Sequence, residues 1–81
     1  MTAATVYTKP NCVQCTMTKR ALTEKGVPFE EADILDPQNL EAAKFLGYMA
    51  APVVVAGDDH WAGFRPDKIN ALVERLNLEV K

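Results

Sequence analysis

The chain has 81 residues, a formal net charge of −2 and 48% hydrophobic residues. This length fits one domain over residues 1–81, with a core that needs no disulfide to hold it together. The sequence has no basic run typical of nucleic-acid binding and no apolar stretch of membrane-spanning length, and its N-terminus lacks a signal-peptide pattern. We therefore expect a cytoplasmic protein that binds neither nucleic acid nor membrane.

The first half of the chain predicts the order β-α-β-α. Residues 4–8 are rich in β-branched side chains and predict a buried strand, and residues 29–34 predict a second strand. Between them a helix is expected over about 13–25, where apolar residues recur at helical spacing and Met17 is expected in the core. Asp36 is a good N-cap with a proline directly after it, and it predicts the start of a second helix.

The second half predicts the order β-β-α. Residues 53–56 are apolar on both faces, which is typical of a central strand, and the turn at 57–59 indicates a hairpin with a short strand at 60–62. A last helix is expected from Pro66 to about Leu76. Together the elements predict an α/β fold in the order β-α-β-α-β-β-α, with a mixed four-stranded sheet flanked by helices.

The two cysteines of the chain, Cys12 and Cys15, are separated by two residues at the start of the first predicted helix. This spacing brings both sulfurs to the first helical turn, where free backbone N–H groups and the helix dipole favour a thiolate. The motif therefore indicates a redox-active pair. A structural disulfide and a metal site stay open, although zinc normally takes four ligands and Asp58, Asp59 and His60 are the nearest further candidates.

The order of elements, with Cys-x-x-Cys opening the first helix, resembles the glutaredoxin branch of the thioredoxin superfamily. Four segments are similar more narrowly to the NrdH redoxins, and the resemblance covers nearly the whole chain. These segments are TVYTKP at 5–10, CVQC at 12–15, APVV at 51–54 and WAGFRPD at 61–67. Ala62 departs from the pattern, because many relatives carry serine there.

The resemblance implies roles for three residues. Cys12 would attack a partner disulfide as a thiolate, Cys15 would resolve the mixed disulfide, and Pro52 would follow a cis peptide bond beside the pair. A monomeric chain would then carry electrons from thioredoxin reductase to the large subunit of class Ib ribonucleotide reductase. We expect no metal and no bound cofactor, because the FAD and NADPH belong to the reductase.

Residues expected to contact the partner surround this pair. They are Lys9, Val13, Gln14, Ala51, Pro52, Trp61, Phe64 and Arg65. Lys9 would favour a thiolate at Cys12, unless it is simply solvated. Trp61 and Phe64 either cover the space beside the cysteines or complete the core. Arg65 binds either a nearby carbonyl or carboxylate, or an acidic partner.

A glutathione-dependent glutaredoxin is the main alternative function. In relatives that use glutathione, the start of the last helix binds a carboxylate through backbone N–H groups. Here Pro66 has no N–H and Asp67 adds a negative charge, while Arg65 acts in the opposite direction, so weak glutathione binding is expected. A metal or iron–sulfur module that uses Cys12 is a further alternative, for which two chains would have to supply the ligands.

Overall fold

The computed structural model describes residues 2–77, and its elements follow the predicted order. Four predicted boundaries shift by one residue: the first helix and the second strand each end one residue earlier, Asp59 joins the fourth strand, and the last helix ends one residue later. The elements are β1 (Ala4–Thr8), α1 (Val13–Glu24), β2 (Phe29–Asp33), α2 (Pro37–Phe45), β3 (Val53–Ala56), β4 (Asp59–Ala62) and α3 (Pro66–Asn77).

The four strands form one mixed sheet in the order β2-β1-β3-β4. β1 runs parallel to β2 and antiparallel to β3, and β3 forms an antiparallel hairpin with β4. Val53 and Val54, which point to opposite faces of β3, are both fully buried. This burial confirms the prediction that the apolar run at 53–56 is a central strand covered on both faces.

The main core lies between one face of the sheet and helices α1 and α3. Strand register places Val6, Val54 and Trp61 side by side on this face, because Val6 pairs with Val54 and Val54 with Trp61. Leu22 of α1 and Ile69 of α3 pack into the same cluster. A smaller cluster covers the opposite face beside α2; its buried members are Ile34, Ala43 and Val53.

Helix α2 begins as the sequence predicts. The Asp36 side chain accepts a hydrogen bond from the backbone N–H of Gln38 at 3.0 Å, and Pro37 occupies the first helical position. This arrangement satisfies one of the free N–H groups of the first turn and uses a residue that has none to satisfy. The α2 start is therefore determined locally, by two adjacent residues.

The prediction that Met17 lies in the core is wrong. Met17 is 41% exposed and Val13 is 73% exposed, whereas the buried residues of α1 are Cys15, Thr18 and Leu22. Val13 lies about 200° around the helix from Cys15, so the two cannot face the core together. The helix is oriented by the stripe that contains Cys15 and Leu22, and the apolar residues Val13 and Met17 remain at the surface.

Replacing Leu22 by alanine is expected to lower the free energy of unfolding by about 2–5 kcal/mol, because the change leaves a cavity in the main core. Phe45→Ala is the matched control, since Phe45 is 90% exposed, and it should change that free energy by less than about 0.5 kcal/mol. Urea unfolding of both variants, with the disulfide intact, measures the difference. Equal losses in the two variants would contradict the placement of the main core.

Candidate functional site

Cys12 and Cys15 lie at the N-terminus of α1 and form a disulfide. Cys12 is the N-cap residue, with an extended backbone (φ −120°, ψ 107°), and its Sγ accepts a hydrogen bond from the backbone N–H of Cys15 at 3.2 Å. The Cα atoms of the two residues are 5.2 Å apart. The sulfur of Cys12 therefore takes the place that the oxygen of a serine or aspartate N-cap usually fills.

The two sulfurs differ in their access to solvent. Cys15 is 1% exposed and belongs to the buried face of α1, whereas Cys12 is partly exposed and lines a surface cleft. Another molecule can therefore approach the Cys12 sulfur much more readily than the Cys15 sulfur.

The surroundings of Cys12 favour negative charge on its sulfur. The first turn of α1 contains no acidic residue, so its free N–H groups and the positive end of the helix dipole act on Cys12 without competition. Thr16 donates two hydrogen bonds to the carbonyl oxygen of Cys12, from its backbone N–H at 3.1 Å and from its hydroxyl at 3.2 Å. These bonds fix the backbone of Cys12 against the helix.

The loop before β3 lies beside the disulfide. The carbonyl oxygen of Ala51 is 4.0 Å from the Sγ of Cys12, and the buried side chain of Pro52 follows directly. The Ala51–Pro52 peptide bond is cis, which confirms the prediction made from the family resemblance. The structure thus brings Ala51 and Pro52 next to the cysteines, as expected.

Gln14 connects the cysteine motif to the segment after β4. Its Oε1 accepts a hydrogen bond from the backbone N–H of Phe64 at 3.3 Å, and the N–H of Gly63 donates to the carbonyl oxygen of Pro52 at 2.8 Å. Gly63 has a φ of +82°, and a Cβ on it would lie 3.4 Å from Gln14 Oε1. The sequence predicted Gln14 only as partner-contact surface, because no local pattern reveals a hydrogen bond across fifty residues.

Trp61 does not form partner-contact surface, contrary to the prediction. It is 2% exposed and belongs to the main core, because its pairing with Val54 turns the indole towards α1 and α3. Phe64 is partly buried and packs against the same cluster. The sequence left two interpretations of Trp61 open, covering the space beside the cysteines or completing the core, and the second is correct.

Arg65 binds Asp67 through two hydrogen bonds, from Nε to Oδ1 at 3.1 Å and from Nη2 to Oδ2 at 2.9 Å. The bond from Arg65 lowers the pKa of the Asp67 carboxyl, and the same bond raises the pKa of the guanidinium. Both side chains are exposed, so the pair adds little to stability. The Nε and Nη2 groups of Arg65 donate to Asp67 and are therefore not directed towards a ligand.

Lys9 is exposed at the entrance to the site. It lines a shallow cleft of about 570 Å³ that opens beside the Cys12 sulfur. Lys19, which sequence reasoning missed, lines the same cleft. Lys19 is seven positions after Cys12, and this two-turn spacing, which places both on one side of a helix, was the signal in the sequence.

His60 is a partly exposed strand residue, as expected, and its Nδ1 lies 2.9 Å from the hydroxyl of Tyr48. Across residues 2–77, no three His, Cys, Asp or Glu side chains are grouped so that they could hold a metal ion. The same part of the chain contains no helix long and apolar enough to cross a membrane.

Comparison with known proteins gives concordant results. The glutaredoxin family model matches residues 4–61. The chain is 48% identical to the glutaredoxin-like protein NrdH of Salmonella typhimurium over 69 residues, which cover 84% of this chain and 85% of that protein. It is 41% identical to the NrdH protein of Lactococcus lactis subsp. lactis over 69 residues, which cover 84% of this chain and 96% of that protein.

A solved structure shares the fold and much of the sequence. The glutaredoxin-like protein NrdH-redoxin from Escherichia coli superposes with a TM-score of 0.81 and 47% sequence identity, over 85% of this chain and 92% of that chain. The residues that the glutaredoxin model matches include the cysteine motif and at least part of each of the four strands. The chain belongs to the glutaredoxin family and, within that family, to the glutaredoxin-like NrdH proteins.

Proposed function

We propose that this protein is a thiol–disulfide oxidoreductase that delivers electrons through Cys12 and Cys15. The observation that carries the proposal is the asymmetry of the pair. One sulfur is accessible and accepts a hydrogen bond at a helix N-terminus, and the other is buried beside it. This asymmetry suits a nucleophile and a resolving thiol better than it suits a structural bridge or two metal ligands.

The reaction proceeds from the reduced form in two exchanges. The Cys12 thiolate attacks one sulfur of a partner disulfide, which breaks that bond and releases the other partner sulfur as a thiolate that takes up a proton. The Cys15 thiol then loses its proton, and its sulfur attacks Cys12. This second attack releases the first partner sulfur as a thiol and leaves the Cys12–Cys15 disulfide. The partner gains two electrons and two protons: the redoxin supplies both electrons and the Cys15 proton, and the second proton comes from solvent, because Cys12 attacks as a thiolate.

Ala51 and Gln14 support this chemistry by position. The carbonyl oxygen of Ala51 lies beside the Cys12 sulfur. There it could accept a hydrogen bond from the backbone of an extended substrate. The bond from Phe64 to Gln14 holds the segment after β4 against the cysteine motif. The loop beside the attacking sulfur and the segment after β4 are also fixed to each other, because the N–H of Gly63 donates to the carbonyl oxygen of Pro52.

The electron donor and acceptor are proposed from the relatives. The structure of the Escherichia coli relative is presented as the basis of a thioredoxin-like activity profile in a glutaredoxin-like protein. We assign this chain the same profile, with re-reduction by the FAD and NADPH of thioredoxin reductase. The acceptor would be the large subunit of class Ib ribonucleotide reductase. A dithiol that cycles in this way requires a reducing compartment, so the proposal places a monomeric carrier in the cytoplasm.

The surface near α3 is poorly suited to glutathione. Pro66 has no N–H to donate, and the N–H of Phe64 already donates to Gln14. Asp67 adds a negative charge at the start of α3 and forms a salt bridge with the guanidinium of Arg65. The one residue that favoured a glutathione carboxylate is thus directed towards an internal partner, which supports thioredoxin reductase as the electron donor.

Cys15→Ser is expected to accumulate a mixed disulfide with a substrate, because Cys12 can still attack and no second thiol releases the product. Cys12→Ser is expected to form no such adduct, since its remaining sulfur is buried. Mass spectrometry after mixing each reduced variant with a disulfide substrate measures the adducts. Trapping through Cys15 alone would reverse the assigned roles.

Pro66→Ala combined with Asp67→Ser should increase turnover of a small mixed disulfide with glutathione and glutathione reductase. The double change restores a backbone donor, removes a repulsive carboxylate and frees Arg65. NADPH oxidation measures turnover, and the same assay with thioredoxin reductase is the control, which should not change. Wild-type protein that works as well with glutathione as with thioredoxin reductase would favour an ordinary glutaredoxin instead.

A further inference from the structure

Two clefts on the α1 side of the disulfide share part of their lining. The first, of about 570 Å³, reaches Cys12 and Thr16, and the second, of about 410 Å³, continues to Glu31 and Asp33 beside the end of β2. Both clefts are lined by Lys9, Pro10 and Lys19. We call the combined feature the Lys9–Lys19 groove; one end of it is lined by Cys12, the residue that attacks the partner.

Charge is distributed unevenly along the Lys9–Lys19 groove. The cleft at Cys12 is lined by two lysines and by no carboxylate, whereas Glu31 and Asp33 line only the far cleft. The positive N-terminal end of α1 adds to the field at the Cys12 end. This local excess of positive charge occurs in a chain whose net charge is −2.

The charged groups of the groove differ in how many of their hydrogen bonds and ion pairs are already made within the protein. Lys19 Nζ lies 3.1 Å from Glu31 Oε1, and both side chains remain partly exposed. This pair holds Lys19 on the groove wall and leaves it with further N–H groups to donate. Asp33 already accepts a hydrogen bond from the N–H of Leu35 at 2.9 Å. Within the part of the chain that the structure describes, Lys9 makes no ion pair.

We infer that the Lys9–Lys19 groove binds an acidic, extended segment of the protein whose disulfide is reduced. The inference rests on the proposed function, because it requires the attacked cysteine of the partner to reach Cys12. From Cys12 to Lys19 the helix advances about 10 Å, which an extended chain covers in about three residues. A carboxylate within about three residues of the partner cysteine can therefore meet the lysines while the sulfurs react.

The test compares substrates that differ only in one charge. Three peptides of equal length carry one intramolecular disulfide and either Glu, Gln or Lys three residues from the attacked cysteine. Each is mixed with pre-reduced protein, and the second-order rate constant of peptide reduction is measured at low ionic strength. Wild type should reduce the Glu peptide about two- to fivefold faster than the Gln peptide, and the Lys peptide more slowly, as expected for an exposed ion pair.

Two variants that break the same ion pair separate binding from folding. Lys19→Gln should remove most of the preference for the Glu peptide, whereas Glu31→Gln should increase it, because Glu31 competes with the peptide for Lys19. Lys25→Gln is the control, since it removes an equal charge from an exposed residue at the end of α1, outside the groove. It should leave the preference unchanged.

The outcomes distinguish failure of the groove from failure of the function. Equal rates for the three peptides, or changes in the same direction for Lys19→Gln and Glu31→Gln, would overturn the assignment of the groove while leaving the oxidoreductase intact. Failure to reduce any of the three peptides would overturn both proposals. A preference that disappears in about 1 M salt supports the groove, because the Debye length is then about 3 Å.

Discussion

The hydrogen bond from the N–H of Cys15 to the sulfur of Cys12 is the interaction on which the site depends. It makes one cysteine the cap of the helix that contains the other, so the geometry of the pair is part of the secondary structure of α1. Because the α1 stripe through Cys15 and Leu22 faces the main core, packing fixes which sulfur is buried. The chemical asymmetry of the two cysteines thus follows from the orientation of one helix.

The same orientation determines what surrounds the pair. With Cys15 facing inward, Gln14 reaches the N–H of Phe64, and the neighbouring Gly63 bonds to Pro52. Trp61 anchors β4 in the main core directly before this segment. The backbone on the α3 side of the site is therefore held by buried packing and by hydrogen bonds, while the α1 side is an open groove lined by Lys9 and Lys19.

Local patterns in the sequence were sufficient for the order of elements, the start of α2 at Asp36 and the central strand at 53–56. They were insufficient for deciding which face of a helix is buried and how distant elements pack together. Met17 looked like a core residue because it is apolar at helical spacing, yet the buried stripe contains Thr18, whose polarity concealed it. The bond between Gln14 and Phe64 depends on how β4 and α1 pack, which no short segment encodes. The cysteine pair was recognisable because its chemistry is carried by spacing alone.

The two faces of the sheet bury unequal cores, and this difference affects local stability. The face under α1 and α3 holds the larger cluster, whereas the cluster beside α2 has only three buried members among the residues that the structure describes. Elements with few buried apolar contacts open at a lower free energy than the global transition. The layer of α2 should therefore exchange its amide hydrogens through local opening while α1 stays folded. The helix that carries the cysteines packs on the larger core, so we expect it to be among the last elements to open.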